Sequence, residues 1–99
     1  MQSFYPERFE REMGCTEADW LRWLPHAIGD HFWKLHPNAA GVRIGDGALG
    51  LKWQVGPPRV IGLISIPVLK VSFRFGGLTD QQRFDFMKRF DLYMQRGGG

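Results

Sequence analysis

The sequence predicts an α+β fold: a kinked N-terminal helix, a four-stranded antiparallel meander, and a long C-terminal helix packed on one face of the sheet. Three patterns carry that reading. Trp20, Leu21, Leu24 and Ile28 recur at helical spacing, apolar residues recur every second position between Val42 and Phe75, and Phe86, Met87, Phe90, Tyr93 and Met94 return to helical spacing. Ninety-nine residues suit a single domain, because a chain of this size closes one apolar core and has too little interior for two. With 43% hydrophobic residues, four Trp and eight Phe, there is enough apolar surface to fold unaided.

Residues 1–14 read as either a short helix or an arm. Pro6 suits a first helical position, Glu7 and Arg11 pair at i,i+4, and Gly14 serves as a stop. The next helix starts more clearly at Thr16. Its hydroxyl accepts from the N–H of Asp19, and Glu17 and Asp19 set negative charge at the positive end of the helix dipole. Pro25 removes a backbone donor inside this helix and predicts a kink or a break, with Gly29 ending it.

His31 to Ala40 has no clean period, and Pro37-Asn38 reads as a turn. Val42 and Ile44 then form a strand, Gly45-Asp46-Gly47 a tight connection, and Leu49, Leu51, Trp53 and Val55 a second strand, which together make a hairpin. Gly56-Pro57-Pro58 closes that strand, Arg59 to Ile66 makes a third, Pro67 ends it, and Leu69, Val71, Phe73 and Phe75 mark a fourth. Thr79 and Gln82 form a capping box for the last helix, expected from Asp80 to Arg96, with Gly97 as its stop and residues 97–99 as a flexible tail.

Alternation assigns faces. Leu49, Leu51, Trp53, Val55, Leu69, Val71, Phe73 and Phe75 share the side under the helices, and Lys52, Gln54, Lys70, Ser72 and Arg74 take the other. From Gly47 to Thr79 there is no acidic residue, so this second face reads as basic and supplies most of the formal charge of +3. The third strand breaks the pattern, because Ile61 and Leu63 fall on the polar side. That predicts a cover for the basic face, drawn from the N-terminal arm with Phe4, Tyr5 and Phe9, from the Trp-rich segment, or from a second copy of the chain. Direct stacking of two such faces would set Lys52, Lys70 and Arg74 against their copies.

Chemical motifs are sparse. His26, His31 and His36 are spaced by five, whereas ligands on one helix face need three or four, and no Cys pair accompanies them. A ligand or metal site at His31, Trp33 and His36 is the weakest of the readings, and Trp20, Trp23 and Trp33 as an aromatic cage is more simply core. Cys15 lies just ahead of a helix, a position that lowers thiol pKa, but no spacing ties it to a His. Ser65 and Ser72 lack a nucleophile elbow, and neither glycine-rich turn is a phosphate loop, so no cofactor is predicted.

The function read from these residues is a small non-enzymatic interaction module, self-associating or bound to an acidic protein, through Lys52, Arg59, Ile61, Leu63, Lys70 and Arg74. A backbone-directed nucleic-acid binder stands as an alternative, although Trp53, Phe73 and Phe75 have the opposite parity to the bases, which removes a stacking platform. The apolar run from Val60 to Leu69 is too short to span a bilayer, and no membrane partner is predicted. The start of the chain lacks a signal-peptide pattern, and one Cys suits a reducing compartment, which predicts the cytoplasm.

Overall fold

Alternation of side-chain character begins earlier in the chain than the apolar residues alone suggest. In the computed structural model, which describes residues 4–98, the N-terminal segment is a strand, β1 (Arg8–Met13), whose inward positions are Phe9, Arg11 and Met13. It is neither the short helix nor the free arm expected from Pro6 and the Glu7/Arg11 spacing. A charged residue at an inward position hid the two-residue period: Arg11 lies on the core side, where Asp91 receives its guanidinium at 2.5 and 3.1 Å.

The first helix, α1 (Glu17–Ile28), is capped as its sequence predicts, Asp19 N–H donating to Thr16 Oγ1 at 3.1 Å. Pro25 does not break it. The ring is exposed, and Gly29, with φ +74°, closes the helix by donating to the carbonyl of Pro25 at 3.0 Å. Trp20, Leu24, Ala27 and Ile28 are its buried face, while Leu21 turns outward.

Two hairpins follow. β2 (Trp33–His36) was not apparent from periodicity, because only four residues pair and Leu35 is exposed. Pro37-Asn38 does form the turn to β3 (Ala39–Ile44), with Asn38 at φ +58°, the proline-first geometry of a type II turn. Gly45, at φ +55°, then leads the two-residue turn into the long strand β4 (Gly47–Ile61).

Here the expectation of four meander strands fails. What reads as strands two to four is a single hairpin of two long strands, β4 and β5 (Ile64–Gly76), turning at Gly62-Leu63 with Gly62 at φ +60°. Pro57 and Pro58 do not close a strand, since they sit where the register shifts between Gly56 and Arg59 and no ladder donor is needed. Pro67 lies opposite the same irregularity, between Val68 and Ile66, and interrupts nothing.

The result is a five-stranded antiparallel sheet in the order β1-β5-β4-β3-β2. The last helix, α2 (Asp80–Gly98), begins with the predicted capping box, Gln82 N–H to Thr79 Oγ1 at 3.1 Å and Thr79 N–H to Gln82 Oε1 at 2.9 Å. It continues through Gly97 instead of stopping there; Gly99, the end of the expected tail, lies outside the described residues.

Both helices pack on one face. Trp20 meets Trp53 at 5.5 Å between ring centroids, Phe73 meets Phe90 edge-on at 5.6 Å, and Phe75 meets Phe86 at 6.2 Å. The face assignment from alternation holds for Leu49, Leu51, Trp53, Leu69, Val71, Phe73 and Phe75, all buried. Val55 is the exception, exposed on β4 beyond Lys52, where its pairing with β3 ends. Of the three covers foreseen for the other face, the N-terminal segment has become the edge strand, with Phe9 stacked on Phe73 at 4.6 Å, and the Trp-rich segment lies in the core. Among the described residues no helix or further strand lies over the second face.

Candidate interaction surface

Strand register lays out the uncovered face in rows. Arg8, Arg74, Gly50, Gly41 and Lys34 form one row across the five strands, and Glu10, Ser72, Lys52, Ala39 and His36 form the next. Glu12, Lys70 and Gln54 make a third. The predicted cations Lys52, Lys70 and Arg74 are thus on this face and exposed. An acid-free segment does not make an acid-free surface, however, because β1 brings Glu10 beside Ser72 and Glu12 beside Lys70. Arg8 stands directly opposite Arg74, a like-charged pair that costs stability, and the neighbouring glutamates offset it. These interleaved carboxylates also weaken the nucleic-acid alternative, which needs a continuous positive track.

Beyond Val55 and Leu69 no other strand flanks β4 and β5, which continue alone as a two-stranded arm. A 15-residue strand spans about 50 Å at roughly 3.3 Å per residue, close to the 47 Å long dimension of the Cα trace. Along β5, Ile64, Ile66 and Val68 continue the face that carries Lys70, Ser72 and Arg74, and the register adds Ile61 opposite Ile64 and Arg59 opposite Ile66. Arg59 donates to Glu12 Oε1 at 3.1 Å, an exposed ion pair that contributes less than about 1 kcal/mol. Val60 (66% exposed), Ile61 (59%), Leu63 (105%) and Ile64 (63%) project at the tip. Ile61 and Leu63 therefore do not belong to a central strand buried on both faces; they end a projecting ribbon. An isolated two-stranded ribbon is marginal in water, and a contiguous apolar tip on one marks a contact surface.

Between the arm and the far end of the sheet the face sinks into a depression of about 600 Å³ floored by Ala39, Gly41, Gly50 and Ser72 and flanked by Arg8, Arg74, Lys52 and His36. Gly41 and Gly50 are direct cross-strand partners with ordinary negative φ.

The proposed ligand cluster is not brought together. Trp33 is partly buried against the core opposite Val42, His36 is exposed on the other face, and His31 packs its ring 5.4 Å from that of Phe86. Among the described residues no group of three His, Cys, Asp or Glu is placed to hold a metal ion. Cys15 is buried, and its pKa is pushed up by that burial and by the nearby Asp19 carboxylate, the reverse of the helix-start activation expected.

The residues that fix the surface in place went unread in the sequence. Arg83, 5% exposed on α2, donates to the carbonyls of Tyr5 at 2.8 Å and Leu78 at 3.0 Å and also to Asp80, anchoring the segment ahead of β1. Tyr5 Oη donates to Asp91 Oδ2 at 2.7 Å, joining the Arg11 pair. No amphipathic pattern announces such links, since their partners lie about eighty residues apart. Comparison of the chain with protein-family models, with curated proteins and with solved structures found no match. No helix among the described residues is long and apolar enough to cross a membrane.

Proposed function

We propose that this protein is a non-enzymatic interaction module that binds a protein partner, a second protomer or an acidic protein, through the uncovered sheet face and the β4–β5 arm. The observation that carries this reading is the arm itself: Val60, Ile61, Leu63 and Ile64 hold apolar area in water at the end of a ribbon that no other strand flanks. Burying it on a partner recovers about 25 cal/mol for each Å² of apolar surface removed from water. Lys52, Lys70 and Arg74, set among Glu10 and Glu12, supply orientation more than affinity. The buried free thiol of Cys15 fits a reducing compartment such as the cytoplasm.

Light scattering at low and high salt, with binding of an apolar fluorescent dye, tests the proposal. Contact through the arm persists at high salt, whereas a purely charge-driven contact weakens. The expected result is association or dye binding in the natural protein and neither in I61D/I64D. A salt-independent monomer that binds no more dye than I61D/I64D would overturn it.

A further inference from the structure

Gly41 and Gly50 have no steric reason within the chain to be glycine. A Cβ built on Gly41 has no atom within 4 Å, and one on Gly50 meets only the carbonyl oxygen of Arg74 at 3.8 Å, ordinary contact. Both are at negative φ in the middle of strands, where glycine weakens pairing and offers no side chain to pack. A glycine in such a place marks a close approach of a ligand or of another backbone. The same sheet face therefore has two unmet demands, an apolar tip with nothing to pack on and a glycine floor with nothing above it.

We infer that the occupant is the arm of a second copy, the two chains exchanging arms across a two-fold axis so that each tip lies on the other's floor. This rests on the interaction reading above and names its partner and its seat. Tip and floor share β4, about eleven residues or roughly 36 Å apart along it, with Gly41 one strand over on β3, so two open faces stacked with strands reversed bring each tip to the other's floor. The axis then falls near Gly56 and Val68, which pair with each other.

This offset keeps Lys52, Lys70 and Arg74 from meeting their own copies, and Arg59, which comes beside Lys70 of the partner copy, is paired with Glu12. Lys70 comes to face the Pro67 region of the partner copy, Lys52 the Val60/Ser65 row and Arg74 the Gly62-Leu63 turn. Residues 60–66 carry no charge, and the aliphatic stems of Arg74 and Lys52 line the seat with their heads in water. A β-hairpin tip brought down on the floor needs its backbone close, which Cβ atoms at positions 41 and 50 would prevent.

Two variants test the seat. G41I/G50I fills the floor, uses open space and β-favouring residues, and should keep its circular dichroism spectrum and, at a concentration where the natural protein is also monomeric, melt no lower than it. I61D/I64D charges the tip at residues already exposed, and should also stay folded. By sedimentation the natural chain is expected at twice 11.4 kDa and each variant at 11.4 kDa, with association weakened more than about tenfold. An equimolar mixture of the two should recover a one-to-one complex, because one intact arm then meets one open floor. A G41I/G50I protein that dimerises as the natural chain does, or a mixture that stays monomeric, overturns the exchange while leaving the interaction reading standing. A natural chain that is monomeric yet binds dye through its arm does the same, and only loss of both signals removes the two together.

Discussion

Arg11 and Asp91 hold the edge strand to the last helix by two hydrogen bonds, 2.5 and 3.1 Å, from a position where neither side chain is more than 23% exposed. Removing one partner leaves the other charge half-buried and unpaired. Asp91→Ala is expected to cost about 2 to 3 kcal/mol, whereas exchanging both for leucine should cost less than the single change. Urea unfolding of the two variants checks the order, and a double variant less stable than Asp91→Ala would refute the account.

Tyr5 gives the fold an alkaline limit. Burial, then its hydrogen bond to the Asp91 carboxylate, raises its pKa above the usual 10.0, so the folded state favours the neutral phenol. Its contribution is whole below the unfolded value and is lost as pH rises through the folded one. Stability should fall above about pH 10, and Tyr5→Phe, lower in stability at neutral pH, should fall less steeply there. Denaturation midpoints between neutral and alkaline pH measure both.

Gly47 and Gly41 should respond oppositely to a methyl group. A Cβ at position 47 would lie 2.4 Å from the carbonyl oxygen of Gly76 and 2.6 Å from that of Gly77, backbone atoms that cannot turn aside. Gly47→Ala is expected to cost more than about 2 kcal/mol. Gly41→Ala, entering open space, should be neutral or stabilising by up to about 1 kcal/mol in the monomer. Thermal melts of the pair, each at a concentration that keeps it monomeric, decide the contrast.

Cys15 should be slow to react in the folded protein. Its thiol is buried and its pKa is raised by that burial and by Asp19, so both access and thiolate fraction are low. Alkylation at neutral pH is expected to be at least about tenfold slower than in urea. Equal rates would show that the helix start activates the thiol after all.

The sheet face and both helices were legible because their signals are local. Thr16, Thr79 and Gln82 announce caps within three residues, and the parity of Leu51, Trp53, Val71 and Phe73 sorts one side of the sheet from the other. The two edge strands were not, for different reasons: β1 hides its period behind an inward Arg11, and β2 is four residues long with Leu35 outward. Proline rules misled at Pro57, Pro58 and Pro67, since a ladder irregularity absorbs all three and lets β4 and β5 run on. The arm was visible only as misplaced apolar residues, Ile61 and Leu63, whose cause is their location beyond every flanking strand. Glycines at 41 and 50 look like ordinary strand residues until the space above them is seen.

The register that sets Phe9 against Phe73 joins positions sixty-four apart, and among the described residues β1 pairs with β5 alone. During synthesis the first strand must therefore wait until β5 has left the ribosome before its backbone is satisfied. Such non-local closure slows folding and keeps aromatic surface available to chaperones in the interval. The order in which hydrogen exchange becomes protected on refolding should place Phe9 and Arg11 behind the Val42–Leu49 hairpin.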